Sequence, residues 1–519
     1  MSRELIQALQ APHCYDHPVS DFTLHETHIS WVLLTGEFAY KIKKPVDFGF
    51  LDFSTLERRR HFCEEEVRLN SRLAPELYLD VVPITGTPAA PRLGGKGDAF
   101  EYAIRMHQFD TAQMLDALHD AGRLQASHLD ELADQIADFH ARLPATHDEL
   151  GTPARVRADA EENFQQIRPL LETATQRDQL GRLAAWNQET FERLAPHLAR
   201  RHRDGHVREC HGDLHLSNIT LYRDRVTVFD CIEFSDGLRW IDTCNDLAFL
   251  LMDLEHRGSP QLANRVLNRH LQLSGDFDCL PLLGFYKAYR ATVRAKIALL
   301  SRGNPDLSEA DKQALLDHYH SYIDLAERYA TPRHRCLLVT TGVSGSGKSW
   351  LSQRLAESLN LVWLRSDVER KRLFGLAPLA NSHARPELDI YTPRASRATY
   401  ERLAALAADA LAAGYSVIVD SAALQRAERD QLIEVAASRN IPHRLLACTA
   451  PERQRRHWLR ARAAQGTDPS EADESIMERQ QAWAQSISEA ERAYSLEVDT
   501  TDEAAVDDLA SRIREQCAL

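Results

Sequence analysis

Between Phe22 and Lys43 apolar and polar residues alternate in three short runs, Phe22–Thr27, His28–Leu34 and Phe38–Lys43. The last two are separated by Thr35, Gly36 and Glu37, so a period of two with a glycine turn predicts a small antiparallel sheet. From Leu56 to Leu73 the spacing becomes helical, Gly86–Gly97 is rich in glycine and proline and predicts a loop, and Phe100–Met106 reads as a strand again. Long helical patterns dominate from Ala112, which makes a small β-rich lobe followed by a larger helical one. The pattern breaks near Tyr322–Arg335, around Ala330, Thr331 and Pro332. Beyond it apolar runs at 337–341, 361–365, 417–420, 444–448 and 494–498 alternate with helical stretches, the signature of a parallel sheet wrapped by helices. Two domains are therefore expected, 1–330 and 331–519.

Composition narrows the class. The chain has 519 residues, beyond the size at which one core keeps growing, with 44% apolar and 27% charged residues. A net charge of −14 argues against broad electrostatic capture of nucleic acid and leaves only local basic clusters for that role. The nine cysteines are scattered, with no CxxC pair and no histidine partner at metal spacing, which suggests neither a zinc site nor a disulfide framework and fits reduced thiols. The first ten residues carry charges where a signal peptide needs an apolar core, and no run of about 18 apolar residues occurs, so a cytoplasmic protein with no membrane span is expected.

Gly342, Val343, Ser344, Gly345, Ser346, Gly347, Lys348 and Ser349 follow the pattern G-x-x-x-x-G-K-[ST], directly after the apolar strand Leu337–Thr341 and before a helix that stacks Leu351, Leu355 and Leu359. In that context the glycines let backbone N–H groups curl around phosphates, Lys348 reaches the β and γ phosphates, and Ser349 offers a hydroxyl to Mg²⁺. The next strand ends in Ser366 and Asp367, with Arg370 one turn on. A carboxylate there can take the proton of an attacking hydroxyl and an arginine can hold an anionic acceptor; the plain alternative is that Ser366 or Asp367 caps the helix. Asp420 ends the apolar strand Val417–Val419 in the manner of a Walker B carboxylate for Mg²⁺. Arg453, Arg455, Arg456, Arg460 and Arg462 crowd a helix before Ala463–Asp468, where a lid would close, and Arg456, Arg460 and Arg462 are the lid candidates. These motifs together resemble the P-loop kinases that include polynucleotide 5′-kinases, gluconate-type kinases and zeta-like toxins, over about 335–519. The Asp-x-x-Arg step is most similar to the polynucleotide kinases, which implies Asp367 as general base and Arg370 as the residue orienting the acceptor.

In the first domain His211, Gly212, Asp213, His215 and Asn218 are followed by Asp230 at the end of the strand Val226–Phe229. A kinase catalytic loop needs an aspartate base, an asparagine metal ligand five residues later and a second metal aspartate after a strand, which Asp213, Asn218 and Asp230 satisfy. This resembles the aminoglycoside phosphotransferase-like kinases, with the catalytic loop H-G-D-x-H-x-x-N, a metal aspartate in Phe229–Glu233 and a helix start at Asn245–Ala248, over about 20–325. No G-x-G-x-x-G loop precedes the strands, a departure from protein kinases shared with relatives in this group. A phosphate-binding lysine is needed, and Lys41 and Lys43 alternate onto one face of their strand, so periodicity leaves both open. The resemblance favours Lys41, with Glu66 as its helix partner. Lys287, Arg290 and Arg294 recur on one face of the helical stretch Leu282–Leu300, as a solvated face or as a stripe facing an acidic acceptor.

The expected fold is an α+β, protein-kinase-like bilobal domain followed by an α/β P-loop NTPase domain with a five-stranded parallel sheet. The expected activity is a bifunctional ATP-dependent phosphotransferase, using ATP (or another NTP) and Mg²⁺. Its acceptor is a hydroxyl of a small molecule or of a nucleic-acid 5′ end. The rival reading is an ATP-binding regulatory or toxin-antitoxin-like module in which one kinase domain is non-catalytic.

Overall fold

The computed structural model describes residues 3–19, 21–49, 51–332, 334–382, 390–465 and 468–517. Gly466 and Thr467 of the expected lid lie outside the described residues. The chain divides into two compact units, Met1–His128 with Arg142–Gln165 and Phe191–Asp253, and Leu129–Ala141 with Gln166–Thr190 and Leu254–Leu519.

The first unit carries a six-stranded antiparallel sheet in the order β1-β2-β3-β6-β4-β5, from β1 (Thr23–Glu26), β2 (Ser30–Leu34), β3 (Phe38–Lys43), β4 (Tyr78–Thr87), β5 (Ala90–Leu93) and β6 (Ala99–His107). Leu33, Tyr40, Ile42, Ile84 and Ala103 form a core on one face, and Ala39, Leu77, Ile104 and Met106 pack with Cys63 of helix α1 (Leu56–Asn70) on the other. Thr55 caps α1 by accepting from the Arg58 N–H. The expected loop Gly86–Gly97 is instead the tip and return strand of a hairpin, β4 with β5. Pro83, Gly86 and Pro91 spoil the alternation there, yet the chain still pairs because Pro83 lies opposite Tyr102 and Pro91 sits on the edge strand. Two small antiparallel pairs follow, β7 (Val207–Glu209) with β10 (Trp240–Asp242), and β8 (Ile219–Tyr222) with β9 (Arg225–Val228). Helix α2 (Thr243–His256) begins directly after β10.

The second unit holds helices α3 (Pro260–Ser274), α4 (Leu280–Arg302) and α5 (Glu309–Ala330) and a five-stranded sheet, β11 (Leu337–Thr341), β12 (Val362–Arg365), β13 (Val417–Asp420), β14 (His443–Thr449) and β15 (Ser495–Asp499). The order is β12-β13-β11-β14-β15 and every pair is parallel. Helix α6 (Lys348–Leu359) docks Leu351, Leu355 and Leu359 against Leu338, Ile418 and Leu446 of the sheet. Each fully buried side chain of this kind contributes about 1.5–3 kcal/mol of transfer free energy. Four further helices flank the site described below: α7 (Ser366–Leu373), α8 (Pro393–Ala412), α9 (Glu452–Gln465) and α10 (Glu474–Trp483).

The stripe Lys287, Arg290 and Arg294 is a correction. Lys287 and Arg290 on α4 are buried and Lys287 pairs with Glu255 at 2.9 Å, so these two do not form a solvated face, while Arg294, half-buried, lies over the Tyr322 ring. Among the described residues no helix is long and apolar enough to cross a membrane.

Candidate active sites

In the first unit β3 and α1 bring three charged groups into one cluster. Lys41 Nζ lies 2.7 Å from Glu66 and 2.7 Å from Asp230, while Lys43 Nζ pairs with Glu66 at 2.6 Å and with Glu233. Both lysines thus share Glu66, as their common strand face requires. They differ in what lies beyond it: Lys43 is wholly buried, with Glu233 as second partner and the Phe53 ring 4.8 Å away, whereas Lys41 reaches Asp230, whose side chain is 42% exposed. Burial works against the charge on Lys41, but Asp230 and Glu66 outweigh it and hold its pKa well above the ordinary value. Burial likewise opposes ionisation of Glu66, yet Lys41 and Lys43 bring it down to about 2. Glu233 is raised, because burial, with Glu66 adding to it, outweighs the pull of Lys43 and Lys41.

The loop after β7 places Asp213 and Asn218 together. Asn218 Nδ2 donates to the Asp213 carboxylate at 3.0 Å and to its backbone carbonyl at 2.9 Å, which leaves Oδ1 as the oxygen it can offer a cation. Asp213 also lies 3.4 Å from His215 Nε2. His211 sets the loop from inside: its Nε2 donates to the Phe229 carbonyl at 2.9 Å and its Nδ1 accepts from the Asp213 N–H at 3.3 Å, a neutral tautomer consistent with a pKa lowered by burial. Gly212 has φ 84°, and a Cβ there would meet the Leu238 carbonyl at 2.8 Å, so only glycine fits. Asp230 itself adopts φ 62°, a left-handed backbone that aspartate tolerates at some strain.

Three supports of this loop were not assigned from the sequence. Asp246 on α2 accepts from the His211 N–H at 3.1 Å and the Gly212 N–H at 2.8 Å, and Asp253 accepts from the Leu216 N–H at 3.0 Å. They stand seven residues apart on one helix face, a spacing that was visible but had no stated partner. The third is Glu233, the buried counter-ion of Lys43.

In the second unit the loop Gly342–Gly347 joins β11 to α6. Gly347 is left-handed at φ 75°, and a Cβ would press on Thr500, whose hydroxyl donates to the Ser346 carbonyl at 3.0 Å. Lys348 Nζ donates to the Val343 carbonyl at 2.9 Å, and burial lowers its pKa despite Asp420 nearby. Asp420 accepts from Trp363 Nε1 at 3.3 Å, with Arg365 Nε at 3.7 Å and Ser349 close enough to favour its charged form; burial still raises its pKa. The Ser344 N–H, one of the amides that would face phosphate, donates to Gln480 Oε1 of α10 at 2.7 Å.

A cavity of about 930 Å³ joins these groups to the expected acceptor side, with Lys348, Ser349, Asp367, Arg370, Asp420 and Arg462 all in its wall. Asp367 stands in the first turn of α7 without capping it, since the N-cap is Arg365. Arg370 donates to the Ile390 carbonyl at 3.0 Å and to Ser396 at 3.2 Å and stacks over the Tyr391 ring, while its buried Nε has no hydrogen-bond partner among the described residues. Of the lid candidates only Arg462 lines the cavity, donating to the Ala472 carbonyl. Arg456 and Arg460 bind Glu474, each at 2.6 Å, and Arg456 also binds Glu478, so both join α9 to α10 outside the cavity wall. Nothing in the sequence around 452–462 announces those acidic partners.

The donor sets suit a hard cation: Asn218 and Asp230 in the first unit, Ser349 and Asp420 in the second, oxygen ligands throughout.

Residues 52–283 match the phosphotransferase enzyme family and residues 337–487 match an AAA domain family. The chain is 31% identical over 418 residues to the uncharacterized protein Rv2004c of Mycobacterium tuberculosis and equally to Mb2027c of Mycobacterium bovis, covering 78% of this chain and 80% of each relative. A solved choline/ethanolamine kinase family protein from Mesorhizobium loti is similar with 10% identity and a TM-score of 0.37, covering 63% of this chain and 98% of that one. The fold is thus a kinase-like phosphotransferase domain followed by a P-loop domain with an all-parallel sheet, and the chain belongs to the family these mycobacterial proteins represent, as a phosphotransferase with a P-loop kinase-like second domain.

Proposed function

We propose that the chain is a bifunctional kinase whose two domains, 1–330 and 331–519, each transfer the γ-phosphate of ATP to a hydroxyl acceptor. What supports this reading is that each domain brings a lysine, carboxylates and uncharged oxygen donors together: Lys41 with Glu66 and Asp230, and Asp213 with Asn218, in the first, and Lys348, Ser349, Asp367 and Asp420 around one cavity in the second. In the first domain Lys41 holds phosphate and is itself aligned by Glu66; Asp213 accepts the proton of the acceptor hydroxyl, and Asn218 and Asp230 hold Mg²⁺. In the second, the amides of Gly342–Gly347 and Lys348 hold phosphate, Ser349 and Asp420 hold Mg²⁺, Asp367 is the base, and Arg462 approaches the phosphates from α9. Bound Mg²⁺ neutralises phosphate charge and fixes its orientation. Arg370, a cation in the cavity wall beside Asp367, favours an acceptor that carries an anionic group, and the polynucleotide kinase-like Asp-x-x-Arg step includes a 5′-hydroxyl nucleotide end among such acceptors.

The test is transfer of labelled γ-phosphate from ATP with Mg²⁺ to 5′-hydroxyl oligonucleotides, nucleosides, sugars and amino alcohols, comparing the unmodified chain with Lys348→Ala and Asp213→Ala. The reading expects one class of acceptor to lose its label with each variant. Label on no acceptor, with nucleotide still bound, would move the chain to the regulatory reading.

A further inference from the structure

Helix α3 lies inside the stretch that matches the phosphotransferase family, yet it belongs to the same compact unit as the P-loop sheet. Its buried polar residues Asn264, Asn268 and Gln272 recur every four positions, a stripe along one face. Asparagine is a poor helix former, and a buried amide needs partners, so such a stripe calls for an explanation.

For Asn264 and Asn268 the partners are at the outer edge of β12. That strand is at the end of the sheet and, among the described residues, pairs only with β13 over Val362–Arg365, with the Val362 N–H donating to the Ser416 carbonyl. Leu361 and Trp363 therefore turn their main-chain groups outward. Asn268 Nδ2 donates to the Leu361 carbonyl at 2.9 Å and Asn268 Oδ1 accepts from the Trp363 N–H at 2.7 Å. A residue of a neighbouring parallel strand would bond these same two groups, so one side-chain amide takes the part of a sixth strand. Asn264 adds a second donor to Leu361 at 3.0 Å and one to Asn360, and it orients Asn268 by accepting from its Nδ2 at 2.8 Å. Beside them Arg265 binds Asp130 through two nitrogens and Glu357 of α6 at 2.8 Å.

The element after β12 is tied to α3 as well. Arg372, in the last turn of α7, donates to the Gln272 carbonyl and lies over the Phe277 ring. It approaches Gly275 so closely that a Cβ there would meet its Nε at 2.6 Å. Both the strand that leads into α7 and the far end of α7 are thus held by α3, and between them stand Asp367 and Arg370.

From this we infer that α3 is a positioning element of the P-loop site: through Asn268 and Gln272 it fixes β12 and α7, and with them the base Asp367 and the acceptor-side Arg370. Asn268 touches neither nucleotide nor acceptor and acts only through β12. The inference rests on the reading of Asp367 and Arg370 given above.

The test uses the full chain with Asn268→Ala and the more conservative Asn268→Asp, which keeps the acceptor for Trp363 but loses the donor to Leu361. Two readouts are taken: amide hydrogen exchange of β12, α7 and β11, and the Lys348-dependent turnover of MgATP, as label transfer or hydrolysis. The expected result is faster exchange at Trp363 and along α7 with β11 unchanged. Turnover falls about tenfold at saturating ATP, nucleotide affinity stays within twofold, and Asn268→Asp gives an intermediate effect. Unchanged exchange in α7 would overturn the inference, and so would faster exchange with turnover untouched, which would make the contact purely structural. If the unmodified chain shows no Lys348-dependent turnover, the phosphotransfer reading of the P-loop site fails, and the exchange pattern alone then decides whether α3 holds α7.

Discussion

The two candidate phosphate sites place a lysine in opposite electrostatic settings. In the first unit Lys41 sits between Glu66 and Asp230, its charge more than compensated and its pKa raised. In the second, Lys348 rests on a backbone carbonyl in a buried loop, its charge under-compensated and its pKa lowered. A site of the first kind is aligned by its own acids, and an arriving phosphate must compete with them for the lysine. A site of the second kind is organised by backbone amides and a helix N-terminus and gains most from an anion.

This contrast can be broken at several points, beginning with the largest effect. Asp213→Asn is expected to lower transfer at the first site about 10²–10⁴-fold with nucleotide affinity nearly intact, because the base is lost while the phosphate contacts stay; label transfer and nucleotide titration on the same sample check it. Next comes stability. Lys43→Met leaves Glu66 and Glu233 facing each other in the interior and is expected to cost about 3–5 kcal/mol, more than Lys41→Met, whose partner Asp230 is partly in water. Urea unfolding of both variants, followed by a probe in the first unit, would contradict the division of roles if Lys41→Met were the more damaging.

The third prediction is in pH. Bound phosphate favours the charged form of Lys348, whose pKa in the free site is lowered below 10.5, so affinity is full below that lowered pKa and falls as pH rises through it, by at most about tenfold per unit. Lys41, with a raised pKa, gives no such loss in the same range. Binding isotherms of Lys348→Ala and Lys41→Met across alkaline pH separate the two, and a parallel decline at both sites would remove the contrast. The smallest effect belongs to Gln480→Ala. Its amide oxygen occupies the Ser344 N–H, and losing one hydrogen bond of about 1 kcal/mol is expected to tighten nucleotide binding at the P-loop site about fivefold.

How much of this was legible follows the same contrast. Gly342–Ser349 is contiguous, so residue types and spacing alone specify a loop whose backbone does the binding. Asp213, Asn218 and Asp230 were legible because they share one short stretch whose spacing is itself the chemistry. Lys41 and Lys43 were not separable, since strand periodicity puts both on one face; what distinguishes them is Glu233, which approaches from 190 residues away in sequence. Arg456 and Arg460 illustrate the same limit, because their acids lie on α10 and helical spacing says nothing of a facing helix. Strands β4 and β5 were hidden by Pro83, Gly86 and Pro91, of which only Pro91 stands on the edge strand. Asn268 was invisible for a further reason: a side chain imitating a strand leaves no pattern in its own helix beyond an asparagine where helices disfavour one.

The central claim is that one chain holds two separate nucleotide sites, and calorimetric titration with MgAMP-PNP tests it most directly. The account predicts two nucleotides per chain, one lost in Lys348→Ala and the other in Lys41→Met. A single nucleotide per chain, or one substitution abolishing both, would contradict it.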